Sequence, residues 1–430
     1  MSFGVIYQGS VKDILGPVRV KLDDPAPTDC VLFRYSDAYS VFDWGRMPDA
    51  LTGKGSALAV FAAAFFERLQ LATTWKDFSK DPAAQTLRKA NRFGSDFNEI
   101  GEILQRDGLK THYVGLVPDA VVNQISLAGS QGSIPVKPLT LSQWKNPAFE
   151  AGPSNPRLML VREVEVNRPR WVKVMGREIP DYRAGVKSTG SGKPTLIPLE
   201  VVFRFSCPEG SSLIERVKQD PEYLSQRGFA DWKIEAATGG GSWDFPLIEL
   251  FTKLETSDRP VSLTEALAIS GLSAQSLQEM MMRTAWVAGW MRSVFAKKGI
   301  TLADGKLEWA IQVPKNGKPE LILVDAIGPD ELRLLSGPVQ LSKEFLRAHY
   351  RKTPWYEQIG ARKKQAAAAG EKDWKKGAPQ PPALPPATRE KVQNLYFALA
   401  KFVLDPLAAD SWFTQAPGLD TVIESLKEPT

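Results

Sequence analysis

Residues 305–325, GKLEWAIQVPKNGKPELILVD, constrain the fold more than any other stretch. Two strand-forming runs, LEWAI and LILVD, flank PKNGKP, and Asn316 followed by Gly317 is a strong short-range signal for a hairpin turn. An antiparallel pair is therefore expected here, with alternate residues on opposite faces. Similar short runs open the chain: GVIY, VRVKL and CVLFRY within residues 1–36, broken by Gly, Pro and Asp, read as antiparallel strands. THYVGL (111–116), LMLVREVEV (158–166) and TLIPLEVVFRF (195–205) read as further strands. Helices are expected where apolar residues recur at steps of three and four. These are Leu58, Phe61, Phe65 and Leu69; Leu277, Met281, Thr284, Val287, Met291 and Val294; and Val392, Leu395, Leu399, Phe402 and Val403. Ser276 and Glu279 have capping-box spacing at the start of the second helix. Its methionines and tryptophans read as core.

Residues 128–156 are rich in Gly, Ser, Pro and Asn without a period and read as an insertion or surface loop, and 167–194 as turn-rich. GVKSTGSGKPT (185–195) imitates a phosphate loop, but the required Gly-Lys-Ser/Thr ending is broken by Ser191 and Pro194, so a hairpin tip is expected instead.

Composition excludes several classes. Hydrophobic residues make up 43% and charged residues 24% of the 430, ordinary globular usage. No apolar run reaches 18 residues and the N-terminus lacks the layout of a secretory signal, so a cytoplasmic protein with no membrane partner is expected. Cys30 and Cys207 cannot make a disulfide framework, and His112 and His349 are too few for histidine-rich metal chemistry. The net charge of +5 is concentrated in residues 351–376, where eight basic side chains face three acids. This segment merges into GAPQPPALPPATRE and reads as a linker. Trp355, Tyr356 and Trp374 are too sparse there for a base-stacking platform, so nucleic acid is not the expected partner.

Four constellations carry chemistry. In Tyr7–Asp13, Gly9 lets the backbone approach a phosphate and Lys12 supplies a charge for it, although a plain surface turn has the same letters. Residues 36–44, SDAYSVFDW, mix polar and aromatic groups like a shaped loop. Arg204 at a strand end precedes Gly210, Ser211 and Ser212, which could hold an anion; an exposed arginine before a capped helix explains them equally. Lys306 and Glu308 share a strand face that pairing can bring to Asp325. Two carboxylates and a lysine suit a magnesium nucleotide, and equally a cross-strand salt bridge.

Taken in order, YQGSVKD (7–13), SVFDWGRMPDALTGKG (40–55), IPLEVVFR with GSSL (197–213), PLIELFTKLETSDRP (246–260), GKLEWAI (305–311) and DAIGPDELR (325–333) resemble the SAICAR synthase family. The resemblance implies an α+β fold related to ATP-grasp enzymes, with two lobes and ATP between them. It implies a phosphoribosylaminoimidazole-succinocarboxamide synthase, which joins aspartate to carboxyaminoimidazole ribotide through an acyl phosphate and uses ATP and Mg2+. By the same resemblance, Lys12 and Gly9 contact ATP phosphates and Glu200 lies on the adenine side. Glu308 and Asp325 hold magnesium, and Lys306 sits by the reacting phosphate. Arg204, Ser211, Ser212 and Arg333 grip the ribotide.

The expected organisation is an N-terminal lobe (1–127), an insertion and hairpin region (128–195), an ATP and substrate lobe (196–350), a basic linker (351–387) and a helical extension (388–430). A homo-oligomer is compatible with it. Ala326, Glu331 and Leu332 depart from the family pattern. A ligase of the same fold with another carboxylate or amine therefore stays open, as does a non-catalytic protein that binds through residues 351–376.

Overall fold

The computed structural model describes residues 4–22, 28–128, 134–144, 155–183, 192–314, 317–371, 373–404, 412–414 and 416–428. Its strands are β1 (Gly4–Gln8), β2 (Lys12–Lys21), β3 (Thr28–Tyr35), β4 (Tyr113–Val117), β5 (Ile134–Pro135), β6 (Leu158–Arg162), β7 (Arg170–Val174), β8 (Arg177–Asp181), β9 (Thr195–Arg204), β10 (Leu247–Thr252), β11 (Pro260–Val261), β12 (Thr301–Gln312), β13 (Glu320–Val324), β14 (Leu332–Ser336) and β15 (Val339–Gln340). Its helices are α1 (Lys54–Gln70), α2 (Ala72–Lys80), α3 (Pro82–Lys89), α4 (Asp96–Asp107), α5 (Ala120–Ala128), α6 (Leu141–Trp144), α7 (Ser212–Gln219), α8 (Leu263–Ser270), α9 (Ala274–Ala296), α10 (Lys343–Arg351), α11 (Pro354–Ala368), α12 (Pro386–Leu404) and α13 (Leu419–Lys427). The expected α+β class is observed. The chain divides into two compact units, one of Met1–Ala64, Val114–Arg162 and Gly328–Thr430, the other of Phe65–Tyr113 and Glu163–Ile327. Each unit gathers stretches distant in sequence. No single helix among the described residues is long and apolar enough to cross a membrane.

The first unit is built on a sheet of order β1-β2-β3-β6-β4, with β5 added beside β2. Alternation along β2, β3 and β6 buries Leu15, Val18, Val20, Cys30, Leu32, Leu158 and Leu160 in one cluster with Val121 and Ile125 of α5. Of the expected loop at 128–156, the described part contains β5 and the short α6, whose Leu141 and Trp144 are buried. The first part of the segment expected to be a basic linker forms helix α11. In α11, Trp355, Ile359 and Ala366 are buried at helical spacing. Its charge is also engaged: Arg351 pairs with Glu344 at 2.6 Å, Arg362 pairs with Glu371, and Lys363 donates to the Phe42 carbonyl at 2.9 Å. The helix expected around 392–403 is α12.

The second unit contains the antiparallel strands β11-β10-β9-β12-β13 in that order. One face, carrying Leu199, Val201, Phe203, Leu250, Leu307 and Trp309, is buried, and α9 packs on β9 and β12. The Trp309 indole donates to Thr284 of α9 at 3.0 Å. The hairpin inferred from sequence is present, with Glu308 opposite Val324; its Asn316 turn residue lies outside the described residues. Helix α9 starts one turn earlier than expected. Ser273 is the cap, its Oγ accepting from the Ser276 amide at 3.1 Å. Within the turn-rich stretch, β7 and β8 form an exposed hairpin whose Met175 and Gly176 both have positive φ, as a type I′ turn requires. Most of the phosphate-loop imitation, residues 185–191, lies outside the described residues.

Candidate active site

The face of the second unit's sheet opposite that core is polar, and strand period and register explain how it is assembled. Glu200, Val202 and Arg204 of β9, Glu249 and Phe251 of β10, and Asp304, Lys306 and Glu308 of β12 all project from it. Arg204 pairs with Asp304, Val202 lies between Glu249 and Lys306, and Glu200 lies between Phe251 and Glu308. Lys253 continues the same alternation just beyond β10. The β9–β12 register shifts between Glu308 and Ala310, a bulge that takes up Pro198, whose nitrogen has no proton for a ladder.

At one end of this face the Lys306 ammonium donates to Glu200 at 2.7 Å and to Glu308 at 3.2 Å. The Lys253 ammonium lies 2.5 Å from Glu308 and 3.6 Å from Glu200. Asp325, just past β13, adds a third carboxylate that acts electrostatically on Glu308 and both lysines. Three acids share two cations, leaving an excess of negative charge. Burial, with Asp325 next, pushes the Glu308 carboxyl up from its ordinary value. Burial would lower Lys306 and Lys253, but Glu308 and the other acids outweigh it and hold both above the ordinary lysine value. A cluster short of one positive charge and offering hard oxygen ligands fits Mg2+. Among the described residues no three His, Cys, Asp or Glu side chains form a metal site by themselves. This donor set suits an ion bound by one or two carboxylates together with substrate oxygens.

The other end holds a buried ion network. Glu249, with no solvent exposure, accepts from Arg204 Nε, from Arg216 at 2.9 Å and from the Tyr223 hydroxyl at 2.6 Å. Arg204 also donates to Asp304 at 2.9 Å. Burial alone would raise the Glu249 carboxyl, but Arg204 and then Arg216 hold it below the usual carboxylate range. The Arg227 guanidinium lies over the Tyr223 ring, adding a third guanidinium beside Arg204 and Arg216. Ser211 stands at the N-cap position of α7 without a side-chain capping bond, Arg216 donates to Ser212 Oγ at 3.0 Å, and the buried Arg216 Nε and Arg227 Nε make no hydrogen bond among the described residues. Surplus cations, spare donors and a helix start suit an anion. Arg204, Ser211 and Ser212 thus share one corner, although the Arg204 charge is already balanced by Glu249 and Asp304.

Gly9, Lys12 and Arg333 belong to the first unit. The Gly9 amide donates to the Lys12 carbonyl at 3.0 Å, and a Cβ at Gly9 would collide with that oxygen, so the turn demands glycine. Arg46 braces the turn, reaching the Gly9 carbonyl at 3.1 Å and Asp13 at 2.5 Å, while Arg34 holds Asp13 at 2.9 Å. The Lys12 ammonium lies 4.4 Å from the centre of the Phe33 ring. Arg333 stands on β14 and acts on Glu344. The preceding turn is anchored by buried Asp330, which accepts from Lys54 at 2.8 Å and from Tyr396 of α12 at 2.5 Å.

Sequence reasoning did not single out Lys253, Glu249, Asp304 or Tyr396. The alternation Glu249, Phe251, Lys253 was visible in LIELFTK, but only the β9–β10 register aligns it with Glu200 and Arg204.

The family model described as SAICAR synthetase matches residues 182–362. Over 422 residues, 98% of this chain and 99% of the relative, the sequence is 32% identical to an Archaeoglobus fulgidus protein provisionally named phosphoribosylaminoimidazole-succinocarboxamide synthase. It is 27% identical to the Thermoplasma acidophilum protein of that name, covering 58% of this chain and 78% of the relative. The structure described as SAICAR-synthase from Saccharomyces cerevisiae complexed SAICAR aligns over 94% of this chain and 95% of that one, with 17% identity and a TM-score of 0.48.

Proposed function

The chain belongs to the SAICAR synthetase family, and from that premise we propose that it is the ATP-dependent ligase of purine biosynthesis that joins L-aspartate to carboxyaminoimidazole ribotide. ATP phosphorylates the imidazole carboxylate and leaves as ADP; the aspartate amine attacks the acyl phosphate, forming the amide of SAICAR and releasing phosphate. The observation that carries this reading is the polar sheet face, with three carboxylates and two lysines at one end and a guanidinium-rich corner at the other.

Phosphoryl transfer of this kind needs positioning and charge neutralisation more than a strong base. Glu308 and Asp325 are the residues that would hold Mg2+, which when bound neutralises phosphate charge. Lys306 and Lys253 release their grip on Glu308 towards phosphate oxygens and orient the transferring group. Glu200 lies on the adenine side, and at 2.7 Å from Lys306 it also fixes that ammonium. Lys12 and the Gly9 turn contact the nucleotide phosphates. Arg204, Ser211, Ser212 and Arg333 hold the ribotide, Arg204 chiefly by orienting Glu249 and Arg216. The burial of both cysteines, Cys30 and Cys207, suits a reducing, cytoplasmic setting.

Glu308→Gln tests the assignment. ATP turnover should fall more than about a hundred-fold with the far-UV circular dichroism unchanged, since a lost ligand costs more than a lost supporting contact. Retained turnover would remove Glu308 from the reaction.

A further inference from the structure

Asp325 has φ +67°, the left-handed region that favours glycine, and among the described non-glycine residues only Phe42, Asp43, Met175 and Phe413 also have positive φ. The register shows what this conformation accomplishes. Val324 stands directly opposite Glu308, and residues paired in this way share a face. An extended residue after Val324 would send its side chain to the opposite face, away from Glu308. The left-handed peptide breaks that alternation, and the Asp325 carboxylate instead acts on Glu308, Lys306 and Lys253.

What holds the strained peptide is a segment from before β4. The Leu323 amide donates to the Lys110 carbonyl at 2.9 Å and the His112 amide to the Leu323 carbonyl at 3.0 Å, forming a short parallel rung beside the end of β13. Thr111 is fixed in turn by Gln70 at 2.8 Å. The rung delivers His112, only 2% exposed, so that Nε2 lies 2.9 Å from the Asp325 carbonyl oxygen. A carbonyl only accepts, so Nε2 carries the proton. The Phe66 ring packs against the imidazole with centroids 5.5 Å apart and limits its rotation.

We propose that His112 is a positioning residue: by donating its Nε2 proton to the Asp325 carbonyl it locks the left-handed peptide that turns the Asp325 carboxylate onto the face carrying Glu308 and the two lysines. This rests on the ligase reading above, in which Asp325 is a magnesium ligand. His112 touches neither metal nor substrate in this scheme. It acts through the backbone of a ligand, as supporting groups around metal sites commonly do.

The test uses the full chain with Mn2+ as a paramagnetic stand-in for Mg2+ in the presence of ADP, its binding followed by electron paramagnetic resonance, alongside steady-state kinetics. Three variants separate the donor from the ring. His112→Phe keeps the aromatic contact with Phe66 and loses the donor; His112→Gln places an amide N–H near the Nε2 position; His112→Asn places one near Nδ1 instead. Mn2+ affinity should fall about ten-fold or more in the Phe and Asn variants and recover to within about three-fold of wild type in the Gln variant. Half-saturation by Mg2+ should follow the same order while KM for the ribotide stays within about two-fold of wild type. If the Phe variant does not fold, the contrast between Gln and Asn decides. Equal Mn2+ affinity in Gln and Asn, or wild-type affinity in a folded Phe variant, overturns the proposal while an active wild type leaves the ligase reading intact. A wild type that binds no Mn2+ and shows no substrate-dependent ADP release overturns that reading and this inference with it.

Discussion

Glu249→Gln is the sharpest perturbation of the polar sheet face. Glu249 has no solvent exposure and receives Arg204, Arg216 and Tyr223 together. Glutamine preserves the shape and one acceptor oxygen, but it removes the charge and turns an amide donor towards a guanidinium. Arg204 keeps Asp304, and Arg216 is left with no carboxylate from this network. Removing one partner of a buried ion pair costs about 3–5 kcal/mol, and the retained acceptor for Tyr223 argues for the lower end, about 3 kcal/mol. For a cooperative unit of roughly 200 residues that lowers Tm by about 6–12 °C. Urea unfolding followed by circular dichroism at pH 7 measures it. A loss below about 1 kcal/mol with an unchanged slope would refute the claim that Glu249 neutralises the arginines.

The pH dependence gives an independent check. Because the folded Glu249 carboxyl is held below its unfolded value, its contribution is present above the ordinary carboxylate pKa, about 4.3, and is lost as pH falls through the lower folded value. The stability gap between wild type and variant should therefore be widest near neutrality and close on the acid side. A constant gap would contradict the electrostatic origin.

Two further outcomes are expected. Tyr396→Phe removes the 2.5 Å hydrogen bond to buried Asp330 and should cost about 1.5–3 kcal/mol in urea unfolding, as for a bond to a charged group; an unmoved midpoint would show that Lys54 alone satisfies Asp330. Gly9→Ala drives a methyl into the Lys12 carbonyl, so KM for ATP should rise roughly ten-fold while KM for aspartate stays near wild type, and an equal rise for both would contradict the phosphate role of this turn.

Much of this arrangement was legible in the chain wherever the signal is local. The alternation in GKLEWAI put Lys306 and Glu308 on one face, and the Gly-Lys-Pro turn region before LILVD announced the partner strand that ends at Asp325. The apolar period of α9 was equally plain; its start was misjudged because Ser273 and Ser276 both have capping chemistry and the earlier one is followed by helix-forming Ala274 and Gln275. Basic and alanine-rich composition hid α11, whose buried stripe consists of only Trp355, Ile359 and Ala366. The β7–β8 hairpin was hidden by its turn, since Met175 occupies a left-handed position normally signalled by Asn or Gly. The residues missed at the site share one cause. Glu249, Asp304 and Lys253 matter because of which strand lies beside which, and Tyr396 reaches Asp330 across 66 positions of sequence. Alternation within a run gives the face, but registers between distant runs decide the neighbours.

The central claim is tested most directly by incubating the full chain with ATP, Mg2+, carboxyaminoimidazole ribotide and L-aspartate and following ADP and SAICAR together. The account predicts stoichiometric formation of both, with ADP release near background when either the ribotide or aspartate is omitted. ADP release that ignores the ribotide and aspartate, or that proceeds without SAICAR, would contradict it.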